Sequence, residues 1–434
     1  MKILVVGGGA REHAYVWKIA QSPLVKKIYA APGNIGMAAD AECIDLAADD
    51  IEQLAAFAQN QCIDLTVVGP EVPLAAGICD LFARRGLMIF GPSQAAAQIE
   101  TSKEYALGLM HKYGIPTGQY RSFTDPDVAR ASIEEWRAPF VLKASGLAGG
   151  RGVVICQTRE EALHSIDQIM REGIMGAAGQ TLVLMEYLEG EEASVFGFSD
   201  GENLICLMPA QDHKPIGEGD TGPMTGGMGA YAPAPVITPQ LQQQVYDQIM
   251  LPTIRALKAE GRPYTGILYG GLIITAQGPK VIEFNGRLGD PEAQVVLPLL
   301  KTDLVEIMLA ACQGRLDQVN IAESDRAAAC IVLSSQGYPT LPGVPLPSAG
   351  QGVPITGLDT VAQRDDILVF HADTGLQDGQ LATNGGRIVC ITGLGDDVAA
   401  AIGHAYEAVD QINFKGKYCR RDIGHRALGR LGQQ

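Results

Sequence analysis

Glu283 and Asn285 stand two residues apart in the run Val281-Ile282-Glu283-Phe284-Asn285. In an extended strand that spacing puts both on one face, with Ile282 and Phe284 on the other. A carboxylate and an amide oxygen side by side suit Mg²⁺, which takes few protein ligands and completes its octahedron with water and phosphate. Gly286-Arg287-Leu288-Gly289-Asp290-Pro291-Glu292 follows at once and adds a cation and two more acids. The bland alternative is a polar strand edge ending in a turn. Lys143 closes the apolar run Phe140-Val141-Leu142 and precedes Ala144-Ser145-Gly146-Leu147-Ala148-Gly149-Gly150-Arg151-Gly152. A lysine late in a strand, ahead of a glycine loop, suits nucleotide phosphates: the loop closes over them and the ammonium supplies a point charge. A plain surface hairpin is the other reading. No G-x-x-x-x-G-K-[ST] run occurs, so this is not a Walker A loop.

Three further stretches carry polar groups in suggestive order. In Met185-Glu186-Tyr187-Leu188-Glu189-Gly190-Glu191-Glu192 an acid beside an apolar linker suits a nucleotide's amino group and ribose hydroxyls, although acid runs are usually just solvated. Asp212-His213-Lys214, then Asp220 to Tyr231, forms a long glycine-rich loop with almost no apolar anchor, and such loops inside compact domains are usually functional. Gly7-Gly8-Gly9-Ala10-Arg11-Glu12 invites a dinucleotide-binding reading, but Glu12 occupies the third glycine position and no acid follows at the right distance. That argues against a dehydrogenase. It leaves either a phosphate site at a helix N-terminus, with Arg11 as an added donor, or a tight turn without ligand. The seven histidines show no metal-ligand spacing, and His13 and His213 read as hydrogen-bonding or surface residues.

These residues need elements to hold them. Short apolar strands at 3–6, 27–31, 65–68 and 88–90 alternate with helices at 11–21, 50–59 (capped by Asp49) and 74–85. That alternation predicts a parallel sheet covered on both faces. Its breaker loops at 7–9, 32–34, 69–71 and 91–93 then lie at the carboxyl ends of the strands, where open α/β sheets bind ligands. A helix at 94–111 follows. From about 140 strands dominate, at 140–143, 152–156, 182–186 and 193–198, with a hairpin at 266–275 and 280–285 and a helix at 304–312. A final α+β unit has strands at 328–333 and 387–392, a helix at 397–409 and a loop at 339–354.

The totals narrow the class. The chain has 434 residues, enough for about three domains. Its formal net charge of −16 argues against nonspecific nucleic-acid or anionic-membrane binding, because both need a positive field. No apolar run approaches a membrane span, and the opening apolar run is too short for a signal peptide. Nine scattered cysteines without a C-x-x-C pair read as free thiols in a reducing cytoplasm, with Cys43, Cys62 and Cys156 buried among apolar neighbours.

Taken in order and spacing, segments 7–13, 31–34, 68–73, 102–103, 143–152, 189–194, 211–214, 221–231, 283–292, 384–387 and 421–424 resemble the phosphoribosylamine–glycine ligase (glycinamide ribonucleotide synthetase) family of the ATP-grasp superfamily. The resemblance implies an N-terminal α/β substrate-binding domain at 1–102, an ATP-grasp domain at 103–326 with a mobile lid at about 120–190, and a C-terminal α+β domain at 327–434. It implies that glycine is joined to 5-phosphoribosylamine with ATP and Mg²⁺ or Mn²⁺, through glycyl phosphate, in the second step of purine synthesis. Small molecules would be the partners, and a monomer is expected, with a dimer as the alternative. By the same resemblance Lys103, Lys143, Gly149 and Arg151 meet ATP phosphates, Glu186, Tyr187 and Leu188 the adenine, and Glu191 the ribose. Glu283 and Asn285 hold the metal. Asp212, Lys214, Thr225, Gly226, Gly227, Arg287, Gly289, Asp290, Pro291 and Glu292 form the glycine and amine site, with Arg287, Asp290, Asp212 and Lys143 catalytic. Gly9, Arg11, Asn34 and Glu71 hold the phosphoribosyl group. Ser145, Arg151, Met224 and Gly286 depart from the family's usual Asp, Lys, Asn and Cys. Another ATP-grasp ligase, such as a biotin-carboxylase-like enzyme, and a nucleotide-binding protein without turnover remain as alternatives.

Overall fold

The computed structural model describes residues 1–149, 152–340 and 350–431. The first five strands form a parallel sheet in the order Glu42–Cys43, Lys27–Pro32, Lys2–Gly7, Leu65–Val68, Ile89–Phe90. Ile3, Leu4, Val5 and Val6 are all fully buried, as a sheet covered on both faces requires. The helix Ile51–Asn60 is capped by Asp50, not Asp49: its carboxylate accepts Gln53 N. The helix expected over 74–85 is two, Glu71–Ala75 and Ile78–Arg84, broken at Gly77, whose φ of +85° no helix accommodates. The helix expected over 94–111 also divides, into Gln98–Thr101 and Lys103–Tyr113, because Ser102 turns extended and caps the second with its hydroxyl.

The middle of the chain makes two antiparallel sheets. The smaller runs Tyr120–Phe123, Leu182–Met185, Phe140–Ala144, Val153–Cys156, with its own core around Ile133, Leu142, Ile166 and Leu184. The larger runs Leu204–Cys206, Glu191–Asp200, Thr265–Thr275, Gly278–Asn285. A second five-stranded sheet orders Gln211–Asp212, Gly229–Ala232, Ala327–Ser334, Arg387–Gly395 and Ile367–His371. Residues 211–232, which the sequence places in the middle unit, therefore hydrogen-bond to the last one. The glycine-rich stretch between those strands is ordered, with a small hairpin of Pro215–Gly217 and Thr221–Met224. In the loop expected at 339–354, Gln351–Pro354 is a strand, and 341–349 lie outside the described residues, as does Arg151. Cys156 is buried, but Cys43 on the outermost strand and Cys62 in a turn are exposed, against expectation. Among the described residues no helix is long and apolar enough to cross a membrane.

Candidate active site

A cavity of about 600 Å³ is lined by both middle sheets, by Asp212 and Arg387 of the C-terminal sheet, and by Arg11, Pro70 and Glu71 beyond the strands of the first sheet. Lys143 reaches it from the small sheet and Lys103 from the start of its helix, whose amide donates to Ser145 O at 2.9 Å. Lys143 is almost fully buried, and its Nζ donates to Ile282 O at 2.8 Å. That carbonyl is free because of a bulge: Gly271 pairs with Glu283 and Leu272 with Val281, leaving Ile282 unopposed. Ile282, Glu283, Phe284 and Asn285 all border the cavity, so the expected division of this strand into a site face and a core face is not clean. Burial pushes the Lys143 ammonium down to about 8, with Glu283 pulling the other way. Burial alone would raise the Glu283 carboxyl, but Lys214, Lys143 and Lys103 together hold it below its usual range.

At the other end Arg287 pairs with Glu100 at 3.0 Å and Glu71 at 3.5 Å. Asp290 accepts Gln294 Nε2 at 2.7 Å and pairs with Arg387 at 3.1 Å, so its carboxyl stays below the usual range despite burial. Glu292 accepts the Ser194 hydroxyl at 3.1 Å, and a Cβ at Gly289 would stand 2.2 Å from its carboxylate, so a larger residue there would displace that carboxylate. Lys214 pairs with Glu192 at 3.1 Å and Asp212 at 3.2 Å. Burial nevertheless raises the Asp212 carboxyl to about 7. Glu186 brackets Gln119, accepting its amide at 3.0 Å and donating its own amide back at 2.8 Å, and with Tyr187 and Leu188 closes the apolar end of the cavity.

The chain matches three domain models in succession: phosphoribosylglycinamide synthetase N domain at residues 1–100, its ATP-grasp (A) domain at 101–293 and its C domain at 328–426. A phosphoribosylamine–glycine ligase of Ralstonia nicotianae is 48% identical over 431 residues, 99% of this chain and all of that one. The chain belongs to the phosphoribosylglycinamide synthetase family. A solved phosphoribosylamine–glycine ligase from Thermotoga maritima superposes with a TM-score of 0.83 at 30% identity, over 98% of this chain and 100% of the other. The biotin carboxylase domain of 2-oxoglutarate carboxylase from Hydrogenobacter thermophilus, solved with MgADP and bicarbonate, shares the fold with a TM-score of 0.72 at 19% identity, over 96% and 91% of the two chains.

Within this family fold, several residues stand elsewhere than the sequence implies. Glu191 is not on the cavity wall; Glu192 is. Neighbours on a strand face opposite ways, and Glu191 meets Arg430 instead. Gly9 and Asn34 are also off the wall. The Gly9 amide is taken by Glu12 Oε2 at 2.8 Å, and Asn34 bonds Gly8 O, His371 O and the amides of Gly36 and Met37. The helix start is thus already capped by a carboxylate, and what faces the cavity is the Arg11 side chain, 2.6 Å from Glu12. The glycines of the opening make room for that acid: a Cβ at Gly7 or Gly69 would lie 2.4 or 2.1 Å from Glu12 atoms. Of the four breaker loops expected at one site, only that at 69–71 lines the cavity, through Pro70 and Glu71; those at 7–9 and 32–34 do not, and the one at 91–93 packs on Gly266 and Gly286. Gly227 and Pro291 support the cavity wall from behind; a Cβ on Gly227 would stand 2.4 Å from Pro291. Glu100, Arg387 and Arg426 line the cavity without having been singled out for it. His13 accepts His371 N at 2.9 Å, and His213 accepts Gly424 N at 3.3 Å.

Proposed function

We propose that this chain joins glycine to 5-phosphoribosylamine at the expense of ATP, giving glycinamide ribonucleotide, ADP and phosphate, the second step of purine synthesis in the cytoplasm. The observation that carries this reading is the convergence, in one cavity, of two lysines, an oxygen-ligand pair and an arginine–carboxylate cluster, in a chain 48% identical end to end to a phosphoribosylamine–glycine ligase.

Adenine fits the apolar end against Glu186, Tyr187 and Leu188, with Glu192 as the acid in reach of the ribose. Lys103 and Lys143, with Gly149 at the loop, face the triphosphate. Glu283 and Asn285 suit a divalent cation: a carboxylate kept ionised by surrounding lysines and a neutral oxygen beside it, with no larger acid or histidine cluster among the described residues. We take that cation to be Mg²⁺, with Mn²⁺ able to replace it; when bound it neutralises the charge on the transferring phosphoryl group. Glycine belongs beside Arg287, Asp290 and Glu292, and the phosphoribosyl group beside Arg11, Glu71 and Arg387.

A carboxylate is a poor electrophile. Transfer of the γ-phosphoryl group to a glycine carboxylate oxygen makes glycyl phosphate and releases ADP. The lysines and Arg287 position and neutralise the charge, which is most of the catalysis in such a transfer. Attack by the ribosylamine nitrogen forms the amide and expels phosphate with the bridging oxygen. The nitrogen gives up a proton in this step, and Asp212 in its ionised form, made more basic by burial, is the carboxylate proposed to accept it. The test is ADP release, which must depend on glycine and phosphoribosylamine together. ADP release driven by bicarbonate in place of glycine would favour a carboxylase-like reaction instead.

A further inference from the structure

The loop between Gln211–Asp212 and Gly229–Ala232 carries Thr225 and Gly226 onto the cavity wall. Its hairpin, Pro215–Gly217 with Thr221–Met224, belongs to no larger sheet, and two strands alone are marginal in water. What grips it is the C-terminal segment. Arg420 is fully buried. Its Nε and Nη2 fork onto Asp422 at 2.8 and 2.7 Å, and its Nη1 donates to Asp220 at 2.9 Å and to Pro215 O at 3.1 Å. The second Asp220 oxygen accepts Arg426, whose side chain also lines the cavity. Asp422 reaches back to accept Gly219 N at 2.8 Å, and Tyr418 donates to Ile216 O at 2.7 Å. Asp220 itself has φ +57°, a conformation that Asp and Asn adopt more readily than other non-glycine residues.

We propose that Asp220 is a positioning residue for the substrate loop: by bridging Arg420 and Arg426 it clasps the hairpin to the C-terminal segment and sets where Thr225 and Gly226 stand on the cavity wall. The contacts explain why a chain segment far from the ATP-grasp sheet is needed at the site. The two strands flanking the loop belong to the same sheet as the C-terminal unit, so hairpin and clasp share one frame. The two arginines outweigh burial and hold the Asp220 carboxyl below its usual range, so the clasp is charged at neutral pH.

The kinetic part of this inference rests on the substrates proposed above; the structural part does not. Asp220→Asn keeps the side-chain shape and tolerates the same backbone conformation, while Arg420 keeps its fork on Asp422, so the fold survives. Hydrogen exchange of amides 215–227 should then quicken by about ten-fold or more, with the Glu191–Asp200 and Thr265–Thr275 strands unchanged. KM for glycine and phosphoribosylamine should rise about ten-fold, with KM for ATP changing far less. Unaltered exchange in the hairpin would overturn the clasp, and so would an equal rise in all three KM values together with a lower Tm. A wild-type protein lacking glycine-dependent turnover would instead undo the substrate reading, leaving the exchange result to decide the clasp.

Discussion

Replacing Lys143 by Met should strengthen the ligand-free protein while weakening its hold on ATP. Burial lowers the Lys143 ammonium from 10.5 to about 8. That difference means the charged form costs the empty protein about 3 kcal/mol. Methionine removes the charge and nearly fills the space, but leaves Ile282 O without its donor, a loss of about 1–3 kcal/mol. The net change is between about 0 and 2 kcal/mol in favour of the variant. A charge-assisted bond to phosphate is worth about 1.5–3 kcal/mol, so the Kd for ATP should rise about 10- to 100-fold. The sign with pH follows. Because the folded pKa lies below the unfolded one, the penalty is complete below about pH 8 and fades as pH climbs toward 10.5. Wild-type stability should therefore gain on that of the variant across this window. Calorimetry gives the ATP affinity, and urea unfolding at several pH values without ATP gives the stability. A variant that is less stable yet binds ATP normally would show Lys143 to be a brace for the Ile282 bulge and not a phosphate ligand.

Glu283→Gln should raise the Mg²⁺ concentration for half-maximal activity by at least about ten-fold, a loss that even outer partners of a metal produce; an unchanged Mg²⁺ titration would place the ligands elsewhere. Arg11→Ala should raise KM for phosphoribosylamine about 10- to 100-fold with much smaller effects on ATP and glycine. An equal loss for all three would mean that its bonds to Glu12 and Leu288 O hold the site together and that it touches no substrate.

The parallel sheet, the hairpin of Thr265–Thr275 and Gly278–Asn285, and the helix Leu304–Cys312 were legible because each rests on local pattern: apolar runs, alternation and breakers. Helix interruptions at Gly77 and Ser102 were hidden, since apolar periodicity continues through both. Among the candidate site residues, Lys143, Glu283 and Asn285 stood out by their position in a strand. Choosing between Glu191 and Glu192 needed the phase of the strand, which two adjacent acids do not reveal. Glu12 spoiled a dinucleotide motif without showing that it caps its own helix and that Gly7 and Gly69 yield to it. Arg387 and Arg426 reach the cavity across long sequence separations, where no local pattern points. At Gly286 a Cβ would stand 3.2 Å from Glu100 and 3.3 Å from the Tyr264 hydroxyl, so a larger residue is tight but possible and nothing in the structure requires glycine there.

The central claim is that ATP activates the carboxylate of glycine with no covalent enzyme intermediate. Phosphorylation places one glycine oxygen in the bridge to phosphorus, and attack by the ribosylamine nitrogen expels that oxygen with the phosphate. Glycine labelled with ¹⁸O in its carboxylate should therefore pass one label to inorganic phosphate in each turnover and keep the other in the amide of the product. Mass spectrometry of the released phosphate decides: singly labelled phosphate supports the account, and unlabelled phosphate would mean that ATP activates something other than this carboxylate.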